Sequence, residues 1–315
     1  MAKKFDEVRI PFAKMTFSPD VPSTALGPNE YNSGQNVETD VRGIRSMAGD
    51  QAILDTFPGS YAPTYVTGGY RADGKFWFII ACTDGSWYAT DGGDTGWYDI
   101  TPTGRTTAAD FYNQSTNITE AWNGTIPFFN DAKTAPMFWP EPDEGITTAP
   151  RMIQYSQQVP LDISDIQALT GSVRRVSFSA QATAPFTVGD NVVLSQVQPR
   201  YYNGIWEVVA CTTSYVDITC GIVQPYEAAG VIAPEYAWNY NPNWSSVYAN
   251  FMRLYNTPNV GSILVAGNLT ATNATTGATE KYPVTVLWSQ AFGLNQAPVT
   301  WEPTVTNVAN QLEVP

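Results

Sequence analysis

From residue 61 onward the apolar positions come in short runs, separated by Gly, Pro, Asn and Asp. That pattern predicts antiparallel strands joined by tight turns. In GYRADGKFWFIIACTDGSWYATDGGDTGWYDI the run Phe76–Cys82 lies between Asp73-Gly74 and Asp84-Gly85. Both dipeptides favour hairpin turns. Trp87-Tyr88 opens a return strand, and Asp91-Gly92-Gly93 turns again toward Trp97-Tyr98, so this stretch predicts a meander. A second unit runs through 124–130, a polar turn over 131–134, and Pro136 to Trp139. A third places ILVA (263–266) and VTVLW (284–288) around a polar loop. Each unit pairs an apolar strand with a return strand ending in Trp or Trp-Tyr. Loosely repeated hairpins of this size predict propeller-like antiparallel sheets.

The piece between the second and third units has a different rhythm. Strands are expected at 173–179, 191–197, 205–210 and 215–219, with turns at Asp190 and Gly204. Four or five short strands in so little chain predict a small barrel or sandwich inserted into the larger domain. Helix is scarce: 163–169 predicts one turn or two, and 244–253 (WSSVYANFMR) another short helix. In 1–60, Pro11, Pro19, Pro22, Pro28 and Pro58 break any helix, which predicts an extended arm. The expected organisation is all-β. It comprises an N-terminal arm (1–60), the first part of a propeller-like domain (61–155), an inserted small β domain (156–235) and the second part of the propeller-like domain (236–315).

Composition narrows the function classes. With 315 residues, 43% hydrophobic and 13% aromatic, the chain can bury a sizeable core, which excludes a disordered polymer. The formal charge of −13 argues against a basic clamp on nucleic acid. It suits a conduit through which DNA slides without specific binding. Lys3-Lys4 and Arg174-Arg175 are too short to read as phosphate sites. The chain has no histidine, so the commonest general base, metal ligand and pH switch are missing together. Cys82, Cys211 and Cys220 lack CxxC spacing, so zinc is not expected. Cys211 and Cys220 flank a hairpin and could face each other; buried free thiols are the expectation, as in a reducing cytoplasm. MAKKFDEVRIPF has no apolar core of a secretory signal, and no run approaches the roughly 20 apolar residues of a membrane span. The Asn-x-Ser/Thr triplets at Asn113, Asn117, Asn268 and Asn273 read as composition.

Chemistry is hard to place. A glycosidase needs two carboxylates about 5–10 Å apart. Asp110, Glu120, Asp131, Glu141, Asp143, Glu144, Glu207 and Glu235 are available, none in a marked context. The acidic stretch from Pro140 to Gly145 reads as a solvated turn without the spaced ligands of a calcium loop. No G-x-S-x-G occurs, and Gly34, Gly43 and Gly49 form no phosphate loop. Trp238, Tyr240 and Trp244 could stack on sugars, anchor an interface or fill a core. No catalytic, cofactor-binding or metal-binding residue, and no cofactor, is expected.

Several segments together resemble the tail nozzle and tail hub proteins of short-tailed bacteriophages. Over Asn250 to Pro315 these are 263–266, Tyr282-Pro283 with Leu287-Trp288-Ser289, and Trp301 with Thr306-Asn307, Ala309 and Leu312. GTIPFFNDAKTAPMFW is similar to a blade segment of those proteins. Gly189-Asp190 and Val192, with Tyr202-Asn203-Gly204 and Val208, resemble a small β domain inserted in many tail proteins. NEYNSGQNVETDVRGIRSMAG looks like their N-terminal arm. The resemblance covers most of the chain in patches, although the family members are longer. It implies a structural, non-enzymatic virion subunit assembled in the host cytoplasm. It also implies a ring, expected to be of six, around the DNA channel, with portal, adaptor and other tail proteins as neighbours. A tail-associated glycan-binding or depolymerase protein is the second expectation, resting on Trp/Tyr surfaces and spare carboxylates.

Overall fold

A computed structural model describes residues 57–315, except 94–95, 113–116, 143–148, 240, 242, 304–307 and 314–315, together with four short strands before residue 57. The chain divides into two units, Met1–Asp55 and Thr56–Pro315. In the first, β1 (Thr16–Phe17) pairs in parallel with β2 (Glu30–Tyr31), and β3 (Val37–Asp40) pairs antiparallel with β4 (Gly43–Ser46). Apart from these strands and residues 57–60, the expected arm lies outside the described residues.

In the second unit, turn residues and apolar runs produce three four-stranded meanders. The first is β5 (Pro63–Tyr70), β6 (Phe76–Cys82), β7 (Trp87–Thr90) and β8 (Tyr98–Asp99). The β5–β6 turn uses Gly74 at φ 76°, a conformation that favours glycine. The second is β9 (Thr119–Asn123), β10 (Ile126–Asn130), β11 (Met137–Phe138) and β12 (Ile153–Gln154); Asn123 pairs with Ile126, so the first hairpin turns on Gly124-Thr125. The third is β19 (Trp244–Thr257), β20 (Gly261–Asn273), β21 (Thr279–Trp288) and β22 (Asn310–Glu313).

Strand alternation decides how the sheets stack. Trp77, Ile79, Ala81, Trp87 and Ala89 of the first sheet bury against Phe129, Met137 and Trp139 of the second. Ile126, Phe128 and Phe138 point to the other side of the second sheet and pack on Val247, Ala249, Met252, Leu264, Ala266 and Leu287 of the third. All five residues of β10 are therefore buried, and β10 reads as a continuous apolar run, as expected when both faces of a sheet are covered. Each such buried large side chain contributes about 1.5–3 kcal/mol. The first strands of the three meanders are neighbours. A Cβ on Gly69 of β5 would stand 2.6 Å from the Trp122 ring of β9. Asn130 Nδ2 of β10 donates to Ala249 O of β19 (3.0 Å), and Met252 N of β19 donates to Thr119 Oγ1 of β9 (3.2 Å).

The inserted piece is a closed six-stranded barrel. Its order is β13 (Leu161–Ala168), β14 (Val173–Phe178), β17 (Tyr215–Thr219), β16 (Gly204–Cys211), β15 (Asn191–Ser195) and β18 (Val231–Pro234). It has its own core, including Val176, Val192, Leu194, Val208, Val216 and Ile218. The chain enters and leaves side by side: Ser156 N donates to Tyr236 O and Trp238 N to Ser156 O, both at 2.8 Å.

Strand occupies 49% of the chain and helix 1%, so the all-β expectation holds. The described residues provide three meanders, fewer than the four to eight blades of a closed propeller. Two sequence expectations are overturned. The helix expected over 163–169 is mostly β13, which continues to Ala168. Its residues Ile163 and Ile166 stay inward across a bulge against β14. The helix expected over 244–253 is part of the fourteen-residue β19. There, Val247 and Ala249 alternate into the core, and a partner strand supplies the backbone hydrogen bonds. Cys211 pairs with Val216 across the β16–β17 hairpin, so Cys220 is not its partner. All three cysteines are free thiols.

Candidate interaction surfaces

Polar side chains buried between the sheets are engaged structurally. Arg71, in the β5–β6 turn, donates to Thr125 O and Trp139 O (2.9 Å each) and to Pro140 O, and pairs with Glu141 (3.1 Å). Its guanidinium lies 4.1 Å from the Trp139 ring centre. Burial lowers its pKa to about 10, against the raising effect of Glu141. Arg105 donates to Asp131 Oδ2 (2.7 Å) and Tyr112 Oη (2.9 Å), and both members of the ion pair are inaccessible to solvent. Asp131 Oδ1 meanwhile accepts from Lys133 N and Thr134 N, which shapes the β10–β11 turn. Burial first, then the Asp131 charge, holds the Tyr112 hydroxyl far above its ordinary range.

The carboxylates available for hydrolysis are dispersed. Asp110 is exposed in a loop, and Glu120 sits on β9, where it raises the already desolvated Tyr65. Asp131 and Glu141 are held by arginines. Glu207 is exposed on the barrel, and Glu235 accepts from Asn191 (2.9 Å). Asp143 and Glu144 lie outside the described residues. Among the described residues no group of three or more His, Cys, Asp or Glu could hold a metal ion. Trp238 and Trp244 are core residues. The first is fully buried, with its ring centre 4.6 Å from that of Trp301, and Trp244 is 6% exposed. Neither offers a face to a sugar; Tyr240 lies outside the described residues.

Sequence reasoning missed Glu302. It is buried where the β21–β22 connection of the third meander meets the barrel, accepting from Ser195 Oγ (3.1 Å) and, at longer range, from Gln196 (3.4 Å). Burial, reinforced by Asp162 and opposed by the Ser195 hydrogen bond, raises its carboxyl to about 7. The only sequence signal was an acid wedged between Trp301 and Pro303.

Sequence reasoning also missed the two outermost sheet faces. On the first sheet, inward residues are the partners of the second sheet, so Val66, Tyr70, Phe76, Phe78 and Ile80 point outward; Ile80 is nevertheless buried, and Phe57 packs on its neighbour Tyr88 (5.1 Å between ring centres). Val66 is 61% and Tyr70 66% exposed. On the third sheet Phe251, Tyr255, Val265, Val284, Val286 and Leu312 point away from the core, with Tyr255 55% and Leu312 56% exposed. The signal was present in FWFIIAC, an apolar run without polar alternation, which marks a strand covered on both faces. An open cleft of about 500 Å³ borders the first sheet, lined by Asp84, Asp99, Arg105 and Arg151 among others. Its acids are engaged, Asp84 by Ser86 and Asp99 by Arg151 (2.9 Å).

The architecture therefore defines an all-β protein of three stacked antiparallel sheets with an inserted barrel. No protein-family model and no curated protein matches the chain.

Proposed function

We propose that the chain is a structural subunit of a bacteriophage tail, a nozzle, hub or head-to-tail connector component. It forms a ring around the DNA channel that retains the genome and lets it pass. The observation that carries this reading is the stack of sheets that exposes apolar side chains, Val66 and Tyr70 at one end and Tyr255 and Leu312 at the other. Such a molecule works by contact with neighbours. The three meanders, each laid on the next with first strands together, support a propeller-like platform. Several of the residues that carry the resemblance are held within the sheets and the barrel. Leu287, Ser289, Trp301 and Ala309 are buried, and Ser289 Oγ accepts from Leu264 N (3.0 Å). In the barrel, Asn203 Oδ1 accepts from Val197 N (2.8 Å) and Val208 fills the core. A net charge of −13 favours passage of DNA over its capture. Neighbouring portal, adaptor and tail proteins are its proposed partners, the virion tail its location and the host cytoplasm its place of assembly.

Native mass spectrometry of the purified chain at micromolar concentration tests this. Closed oligomers of one size are expected. Monomers alone, or a polymer-cleaving activity abolished by one carboxylate substitution, would contradict the reading.

A further inference from the structure

Two hydrophobic cores lie side by side in the second unit, that of the second and third sheets and that of the barrel. They share no side chain among the described residues. Hydrogen bonds cross the seam between them. In the connecting segments Ser156 N donates to Tyr236 O (2.8 Å) and Tyr236 N to Val299 O (2.9 Å). Further bonds come from the barrel itself. Ser195, the last residue of β15, donates from Oγ to Glu302 (3.1 Å). Gln196 Nε2 donates to Pro303 O (2.9 Å) and, at longer range, to Glu302 (3.4 Å). Ser195 pairs with Val231, and Val231 with Asp162. One end of β15, β18 and β13 thus meets the β21–β22 connection at Glu302.

A carboxyl buried at such a seam has two states of very different cost. Its neutral form is satisfied by hydrogen bonds, whereas its charged form calls for water. Glu302 is 6% exposed. The charged groups on the elements packed against it do not offset a negative charge there. Asp162, opening β13 beside Leu161, acts on it with the same sign. Strands β15 and β18 carry no charge, and Glu235, beyond β18, accepts from Asn191 at the other end of β15. On its own segment Glu302 N donates to Thr300 Oγ1 (3.0 Å).

We infer that Glu302 makes this seam a proton-controlled joint. Protonated, it keeps the end of the barrel closed on the β21–β22 connection; ionised, it lets the two part while each core stays folded. The direction follows from burial. With the seam closed the carboxyl is raised to about 7, and in water it returns toward 4.5. The closed state therefore binds the extra proton. Its advantage is complete below pH 4.5 and is lost as the pH rises through 7. The ratio of open to closed seams should climb roughly tenfold per pH unit across this window, on the order of 300-fold in all. Parting the seam leaves both cores intact, so it needs less free energy than unfolding. The joint operates within a single chain and does not depend on assembly.

Hydrogen exchange of the full chain tests this, followed by mass spectrometry from pH 5 to 8 and corrected for the pH dependence of intrinsic exchange. The seam is read at the amides of Tyr236, Gln290 and Glu302, which donate to Val299 O, Thr300 O and Thr300 Oγ1. Strands β10 and β14 report on the two cores. The opening constant at the seam should rise roughly tenfold per pH unit and level off above pH 7. At every pH the seam should be less protected than the cores, by roughly tenfold or more. Glu302→Gln should remove the rise. Seam exchange that ignores pH would overturn the inference, as would seam protection equal to that of the cores, which means opening only by unfolding. The same pH profile in Glu302→Gln would do so too. The first two outcomes are read on the wild type alone, so they decide even if the variant fails to fold.

Discussion

Glu302 sits in an environment far from what its type leads one to expect. A carboxyl raised to about 7 in the fold, against an ordinary value of 4.5, binds a proton in the folded state that the unfolded chain has released. Its contribution is fully present below pH 4.5 and is lost as the pH rises through 7, by about 3 kcal/mol in all. Urea midpoints measured between pH 5 and 8 should fall across this window, and Glu302→Gln should flatten the fall. Ser195, Gln196 and Asp162 are among the groups that act on it, and removing the raising charge of Asp162 should lower the window. The Arg105–Asp131 pair has the opposite character, because breaking a buried pair strands a charge. Asp131→Ala should cost about 3–5 kcal/mol, read as a drop in denaturant midpoint, while Asp110→Ala in its exposed loop should cost little. None of this was legible in the sequence. An isolated acid shows its type but not its burial, and the partners of Glu302 lie more than a hundred positions away.

Elements were easier to read, for a physical reason. Phe76–Cys82 and Tyr215–Thr219 were bounded by turn residues whose chemistry is local, and they form strands over the expected residues. The inserted domain could be expected as a small barrel or sandwich because its short strands and turns alternate, and the structure closes it into a barrel. The segment 244–253 misled because its aromatic, small and polar residues fit a helix nearly as well as a strand. Only its partner β20 and the core beneath decide the matter. Two predictions belong to this scale. Gly124 opens the β9–β10 hairpin at φ 63°, and a Cβ there would stand 1.9 Å from Asn295 Oδ1. Gly124→Ala should therefore destabilise by more than about 1 kcal/mol in chemical denaturation. The barrel has a separate core and adjacent chain ends, so 158–235 produced alone should melt cooperatively. A broad, non-cooperative transition would mean that it depends on the sheets.

At the scale of the whole molecule, the sequence showed repeated apolar meanders and an acidic, histidine-free composition. The consequence visible only in three dimensions is the order of stacking. The second sheet is covered on both sides by the first and third. Stability inside the chain rests on one physical device used twice, the laying of one aromatic and aliphatic sheet face on another.

The most direct measurement is a cryo-electron microscopy reconstruction of the assembly that the purified chain forms. The account predicts a closed ring of identical copies around an open channel. An assembly that encloses no channel would contradict it.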